Sequence, residues 1–455
     1  MSGAVRPPAA VFGTDGIRGL ANTVLTPELA IDLGRAVGVV LGGPVLVGRD
    51  TRRSSGMLSS AFAAGACSVG ADVLDASVIT TPGLAYLAAQ LGVAAAAMVS
   101  ASHNPFPDNG IKVFGGDGSK LADDAERRIE AYLAAGDYPA PTGAGLGDIR
   151  RVPGAAARYI DHLLACGVPL DGLAVTLDCA HGAASRYAPE VFRRLGADVD
   201  VIAAEPDGTN INADCGSTHI AGLQAALAGT GRIGFAFDGD ADRVLAVDEE
   251  GGLVDGDRIV VLSALELAAR GALPGRGVVV TVMSNLGLHR ALDRAGIRVV
   301  ETPVGDRYVA EALRTHGFGL GGEQSGHVIF TDAATTGDGI LTALRVADVV
   351  VSTERRLAEL AQQMTPFPQV LVNVPADRGL ATHAEVTAAV EEGTRRLGER
   401  GRILVRASGT EPLVRVMVEA ETPDLANDTA DGIADIVRRL ERTEREGGTT
   451  GTRNE

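Results

Sequence analysis

Lysine is almost missing from this chain: of its 41 basic residues only Lys112 and Lys120 are lysine, and the rest are arginine. Arginine does not release its proton in a protein, so side-chain amine chemistry is excluded at all but two positions. Cysteine is sparse as well. Cys67, Cys166, Cys179 and Cys215 are widely separated and form no C-x-x-C pair, which speaks against a cysteine zinc site or a disulfide framework and leaves buried, reduced packing residues as the expectation. No apolar run approaches the roughly 18 residues of a membrane-spanning helix. The opening MSGAVRPPAAVFGTDG has no basic segment followed by an apolar core, so the reading is a cytoplasmic protein without a secretory signal. A net charge of −17 denies the chain a basic face, and neither nucleic acid nor a membrane is an expected partner. A small phosphorylated substrate stays compatible with that charge, provided arginines and backbone N–H groups gather locally.

What is present is length and rhythm. The 455 residues suffice for about three domains by length alone. Three stretches share short β-branched runs alternating with Ala/Leu-rich helical segments, the pattern of βαβ units around a mostly parallel sheet. The first has strand-like runs at 44–48, 71–77 and 94–100 with a helix near 54–69. The second runs from 173–178 through a helix near 185–195 to 233–237, and the third from 278–283 through 297–302 to 318–323. After 364–369 the order becomes strand 370–374, helix 381–397, strands 402–406 and 413–420, and helix 423–441, a small α+β domain. The expected fold is therefore three similar mixed-sheet α/β domains, residues 1–152, 153–254 and 255–366, then an α+β domain over 367–442. The polar remainder, 443–455, reads as a disordered tail.

Each final strand runs into a polar loop. SASHNP at 100–105 sets Ser102 at a strand end as a nucleophile candidate, with His103 and an Asn-Pro turn beside it. The alternative is an ordinary turn. DGDADR places Asp238, Asp240 and Asp242 at alternate positions; such carboxylates repel unless a cation sits among them, and hard oxygen ligands suit Mg²⁺. The same run overlaps a calcium-hand pattern with Glu249 at its twelfth position, but Arg243 stands where that loop requires glycine. In GGEQSGH, Glu323 can accept from vicinal hydroxyls and Ser325 and the glycines leave room for a sugar ring, unless the run is a plain hairpin; His327 closes it. RASGTEPLVR offers Ser408, Gly409 and Thr410 in a compact turn between Arg406 and Arg415, a phosphate clamp or a hairpin with solvated arginines. In GTDGIRG at 13–19, Arg18 sits between glycines that let the backbone approach a ligand. A nucleophile candidate, a carboxylate cage, a sugar contact and an anion clamp, one per domain, read together as phosphoryl transfer on a phosphosugar. Lys112 lies ten residues after Ser102. A partly desolvated lysine beside other cations can have its pKa lowered enough to serve as a base, and the alternative is that it pairs with a phosphate; Lys120 reads as a solvated surface residue.

With GRDTR at 48–52, DNGIKVF at 108–114, VGDRYV at 304–309 and TGDGI at 336–340, these motifs stand in the order of the α-D-phosphohexomutase superfamily. The chain resembles that superfamily, and within it the bacterial phosphoglucosamine mutases, over roughly residues 11–420. The resemblance implies a heart-shaped arrangement around one central cleft. It also implies a phosphate carried on Ser102, one Mg²⁺ held by Ser102, Asp238, Asp240 and Asp242, and acid/base work for Lys112 with Arg18 and His103 in the catalytic set. Arg243, Glu323, Ser325 and His327 become substrate contacts, and Arg406, Ser408, Gly409, Thr410 and Arg415 hold the distal phosphate. The implied reaction converts glucosamine 6-phosphate to glucosamine 1-phosphate through glucosamine 1,6-bisphosphate, feeding UDP-N-acetylglucosamine and cell-wall synthesis, in a homodimer. Phosphoglucomutase/phosphomannomutase activity is the alternative, relatives of that kind differing at the position of Gln324.

Overall fold

A computed structural model describes residues 16–408 and 412–448, and the chain divides into two compact units, the first comprising residues to Met283 with Ala295–Gln363 and the second Ser284–Arg294 with Met364 onward. The described part of the first unit contains three sheets. One is formed by β1 (Ile17–Leu20), β2 (Val45–Arg49), β3 (Val73–Val78), β4 (Ala95–Val99), β5 (Asp108–Gly115) and β6 (Ile149–Arg151) in the order β1-β5-β4-β2-β3-β6. The second holds β7 (Ala174–Asp178), β8 (Asp198–Ile202), β9 (Ile233–Phe237), β10 (Val244–Val247) and β11 (Leu253–Val254) in the order β11-β10-β9-β7-β8. The third has β12 (Gly277–Thr281), β13 (Arg298–Thr302), β14 (Leu320–Gly322) and β15 (Val328–Phe330) in the order β13-β12-β14-β15.

Stripped of edge strands, the sheets are one pattern written three times. A central strand (β2, β7, β12) is flanked by two parallel partners, and the partner that comes later in the chain is followed by an antiparallel return strand. The polar loops at 100–107, 238–243 and 323–327 are the three turns between those last two strands. A parallel strand that must be covered on both faces is built from continuous apolar residues. Accordingly β4 is Ala-Ala-Ala-Met-Val with every residue fully buried, and β9 is Ile-Gly-Phe-Ala-Phe, buried throughout.

Helices bring their own stop and start signals. Pro27–Leu41 begins with Pro27 in its first turn and with Thr26 Oγ1 accepting the Leu29 N–H at 3.2 Å, a side chain answering one of the unpaired N–H groups of a helix start. It packs on Ser55–Ser68 through two reciprocal glycines. A Cβ on Gly34 would stand 2.0 Å from the Phe62 carbonyl oxygen, and one on Gly65 2.0 Å from that of Ile31, so the backbones approach where no larger residue fits.

The second unit carries β16 (Gln369–Pro375), β17 (Gly401–Ala407) and β18 (Leu413–Ala420) in the order β16-β18-β17, all antiparallel, with helices Ala384–Leu397 and Pro423–Gly448. Its inclusion of 284–294 departs from a simple boundary at 364–369. Asn285 accepts the Phe367 N–H at 2.8 Å and donates to the Phe367 carbonyl at 2.9 Å, while buried Glu419 accepts the Leu286 N–H at 3.1 Å. The last helix runs through Gly448, past its expected end at 441, so residues 443–448 continue it and do not form a tail; 449–455 lie outside the described residues. Cys179 and Cys215 are buried, whereas Cys67 and Cys166 are partly exposed, which corrects the reading of all four as core. Among the described residues no helix is long and apolar enough to cross a membrane.

Asp338, in the 336–340 motif, starts the helix Gly339–Thr353. Its carboxylate accepts the Leu341 N–H at 3.0 Å and the Tyr159 hydroxyl at 2.8 Å. Burial pushes its pKa up to about 6 against these bonds. A carboxyl whose folded pKa is raised contributes stability that is full below its unfolded pKa and is lost as pH rises through the folded one. Asp338→Asn can keep both partners without a charge. Denaturant melts should therefore show the variant gaining on the parent by roughly 2 kcal/mol between about pH 4.5 and about pH 7.5; a pH-independent difference would refute the assignment.

Candidate active site

The site is built where β4, β9 and β14 end, at the carboxyl ends of parallel strands, the usual position of sites in such sheets. Ser102 stands two residues beyond β4's terminal Val99–Ser100 step, with a left-handed φ of 52° and 1% exposure. Its Oγ donates to Asp238 Oδ2 at 2.5 Å and lies 3.3 Å from His103 Nδ1. The loop behind it is a tight turn: the Asn104 N–H reaches the Ala101 carbonyl at 3.1 Å, and Asn104 Nδ2 reaches Asp108 Oδ2 at 3.0 Å.

The antiparallel return along β5 brings Lys112 level with Met98 of β4, beneath the loop that follows β9. In that loop the backbone turns at Ala241 with φ 57°, and carboxylate oxygens of Asp238, Asp240 and Asp242 come within 4.8 Å of one another. All three aspartates are buried. Lys112 Nζ, itself almost covered, donates to Asp240 Oδ2 at 2.9 Å and Asp242 Oδ2 at 3.1 Å. The sequence reading placed cations beside this amine. The charged groups it bonds are carboxylates. Lys120 is not a solvated residue either: it is half-buried and pairs with Asp306 at 2.5 Å.

Electrostatics separate the carboxyls. Burial, then the charges of Asp242 and Asp240, hold Asp238 well above the usual carboxylate range. Burial also opposes ionisation of Asp242, but the Lys112 ammonium, with His327 and Arg243 behind it, outweighs that and keeps it below the range. Asp240 Oδ1 and Asp242 Oδ1 are buried without a hydrogen-bond partner. Two orphaned carboxylate oxygens in one crowded pocket fit a hard divalent cation, which supplies the missing partner for both. Thr81, which no sequence motif singled out, completes this wall: its Oγ1 donates to Asp240 Oδ2 at 2.6 Å and its N–H to the Asp240 carbonyl at 2.9 Å.

Arg243 donates its N–H to Asp238 Oδ1 at 3.3 Å, and its Nε faces Asp242 Oδ1 at 3.8 Å. Arg18, on edge strand β1 opposite Gly110, acts with Arg243 on His103. His327 is almost fully buried; Gly337 N lies 3.0 Å from its Nε2, and its Nδ1 lies 3.9 Å from Asp242 Oδ2. It reaches a carboxylate of the cage. Glu323 is half-buried and accepts the Gly305 N–H at 3.2 Å, Ser325 is exposed, and Gln324 is turned to Asp255 at 3.2 Å. The calcium-hand reading is answered by Glu249, whose carboxylate accepts the N–H groups of Leu357 and Ala358 at another helix start.

In the second unit, Arg406 and Arg415 are directly opposed across β17 and β18. Burial, then Arg415, pushes the Arg406 pKa down, and facing like charges on neighbouring strands are unfavourable unless an anion joins them. Ser408 is buried and its N–H donates to the Leu413 carbonyl at 2.8 Å. Gly409 and Thr410 lie outside the described residues.

His103 supplies a direct check on this charge map. Desolvation first, then Arg243 and Arg18, lower its pKa to about 4, so the imidazole is neutral throughout the neutral range and protonates only as pH falls through that value. An NMR titration should find it titrating about two units below a free histidine. A midpoint near 6.5 would mean the ring is neither desolvated nor faced by the two arginines.

Family models match the chain in four successive pieces: phosphoglucomutase/phosphomannomutase α/β/α domain I over residues 9–140, domain II over 157–252, domain III over 255–367 and the C-terminal domain over 371–436. The phosphoglucosamine mutase of Symbiobacterium thermophilum is 52% identical over 440 residues, covering 94% of this chain and 98% of the relative. That of Rhodococcus jostii is 54% identical, covering 94% and 99%. Among solved structures, a phosphoglucomutase/phosphomannomutase family protein from Burkholderia thailandensis superposes with a TM-score of 0.81 at 26% identity, over 93% of this chain and 96% of that one. The triplicated sheets, the serine loop set against a carboxylate cage and the four domain models in unbroken order have one explanation: the chain belongs to the phosphoglucomutase/phosphomannomutase family.

Proposed function

We propose that this family member is a phosphoglucosamine mutase, interconverting glucosamine 6-phosphate and glucosamine 1-phosphate through phospho-Ser102 and a glucosamine 1,6-bisphosphate. The observation that carries the reading is the buried Ser102 Oγ set against Asp238 at 2.5 Å, inside a three-carboxylate cage whose other members hold Lys112. Relatives 50–54% identical over nearly their whole length bear the name phosphoglucosamine mutase, and that supports the amino sugar as substrate. We take residues 1–152, 153–254, 255–366 and 367–442 as its domains, each carrying one of the four loops.

Asp238, Asp240, Asp242 and the Ser102 oxygen would hold Mg²⁺, which when bound neutralises charge on the phosphoryl oxygens. The chain's own residues do the rest. In the first half-reaction Lys112 enters as the neutral amine: the phosphorus–Oγ bond of phospho-Ser102 breaks as a bond forms to the sugar O1, the O1 proton passes to Lys112 Nζ, and Ser102 Oγ departs as the alkoxide that takes the phosphate back in the second. In the second, the 6-phosphate returns to Ser102 and the departing O6 takes a proton from Lys112. Between them the bisphosphate turns around. Arg18 and Arg243, beside His103, offer fixed positive charge where the phosphoryl group passes, and neutral His103 offers a hydrogen bond to its oxygens. Glu323 and Ser325 are assigned to the sugar hydroxyls, with His327 acting on that wall through Asp242. Arg406, Ser408, Gly409, Thr410 and Arg415 are assigned to the phosphate that is not being transferred, a pair of guanidinium forks matched to its oxygens.

Two measurements test this. Intact-mass analysis should show a fraction of the protein carrying one phosphate that disappears in Ser102→Ala together with mutase activity. Isomerisation and phosphate release should be followed on glucosamine, glucose and mannose 6-phosphates, and isomerisation of the glucosamine compound should dominate. An active Ser102→Ala protein would refute the carrier role, and dominant phosphate release would make the chain a hydrolase. Lys112→Arg keeps the cation but cannot exchange its proton, so kcat should fall by at least about a hundredfold with KM little changed. Turnover within a few-fold of the parent would reduce Lys112 to a charge.

A further inference from the structure

Arg52 lies outside the catalytic set, yet its guanidinium is fully buried and all five of its N–H groups are engaged. Nε donates to Asp50 Oδ2 at 2.9 Å. Nη1 donates to the carbonyls of Pro105 at 2.6 Å and Asp108 at 3.2 Å, and Nη2 to those of Ser102 at 2.9 Å and Asn104 at 2.7 Å. Three of the five bonds thus end on the backbone of the serine loop and a fourth on Asp108, the first residue of β5. Asn212, from the segment between β8 and β9, reaches the same two carbonyls: its Nδ2 donates to that of Ser102 at 2.9 Å and that of Asn104 at 3.0 Å. The Ser102 N–H is held too. It donates to Ser100 Oγ at 2.9 Å, whose hydroxyl donates to Asp50 Oδ2 at 2.7 Å, while Asp50 Oδ1 accepts Ser55 Oγ at 2.6 Å and the Arg52 N–H at 3.0 Å.

Both backbone polar groups of Ser102 are therefore tied to side chains and not to a strand or helix, at a residue whose φ of 52° a β-substituted residue seldom adopts. A backbone in that region persists only where its surroundings over-determine it. The surroundings are the Asp50–Arg52 pair and Asn212. Room for the loop against the cage is made by Gly239, where a Cβ would stand 2.6 Å from the Ser102 carbonyl oxygen.

We infer that Arg52 and Asn212 are positioning residues for phosphoryl transfer: from two separate segments they hold the same Ser102 and Asn104 carbonyls and so keep Ser102 Oγ aimed at Asp238 whether or not it carries phosphate. This rests on the reading of Ser102 as the phosphoryl carrier. A nucleophile that receives and gives the same group must return to one geometry each time, and a displacement of about 1 Å can cost about a hundredfold in rate. Lysine cannot substitute at position 52. An ammonium has three donors at one point, and the four carbonyls need a planar fork.

The test uses the full chain, loaded with labelled phosphate from a hexose 1,6-bisphosphate, and times a single turnover onto glucosamine 6-phosphate for the parent, Arg52→Lys and Asn212→Ala. Asn212→Ala leaves the Asp50–Arg52 pair intact, so it decides the matter if Arg52→Lys does not fold. The expected result is a labelled fraction close to the parent's, a transfer rate per labelled site at least about tenfold lower, and a KM for the sugar phosphate within about threefold. A parental rate per labelled site in Asn212→Ala overturns the inference and leaves the carrier role standing. A labelled fraction that falls while the rate per site holds is a stability defect and overturns it as well. Label that never reaches Ser102 in the parent overturns the carrier reading, and this inference with it.

Discussion

Three aspartates are buried within one small pocket, and water does not screen them. Like charges so placed cannot all ionise unless something positive joins them, and the neighbourhood is organised around that constraint. Lys112 is drawn onto two of the carboxylates, Arg243 stands against the third and beside Asp242, and Thr81 gives its hydroxyl to the middle one and its N–H to that residue's main-chain carbonyl. The remaining deficit, one oxygen each on Asp240 and Asp242, suits a divalent cation. A serine placed against such a cage has its hydroxyl oriented by Asp238. The same arrangement can neutralise a phosphoryl group arriving on that oxygen.

The constraint is met by repetition. One sheet pattern, used three times, turns from a parallel strand into an antiparallel return at the same topological point. Each turn is short and begins from a strand fully covered on both faces, so its polar residues start from a rigid base. The serine loop needs more than this, because its backbone leaves the ladder at Ser100 and adopts a conformation that no regular element supports. Buried arginine and asparagine side chains supply what the strands do not.

The second unit obeys a different logic. Arg406 and Arg415 oppose each other across an antiparallel pair, an arrangement whose cost is removed by an anion between them.

Much of this was determined by the sequence alone. Strand and helix order is local, because period-2 and period-3.6 apolar patterns report burial directly, and the runs 94–100, 233–237 and 318–323 fall on β4, β9 and β14 with small shifts at their ends. Motif chemistry is local as well: Asp238, Asp240 and Asp242 at alternate positions already imply a cage. Only the tertiary structure decided who stands beside whom. Lys112 met carboxylates where the sequence suggested cations, Lys120 was found in an ion pair, and Glu249 at a distant helix start. Thr81 lies 159 positions from Asp240 and Asn212 lies 110 from Ser102, and neither carries a spacing signal. A hydrogen bond between residues so far apart depends on how sheets stack and where loops close, and no pattern along the chain encodes that separation; Arg52 stood at the end of the GRDTR motif, but its five bonds appear only once the loop folds over it.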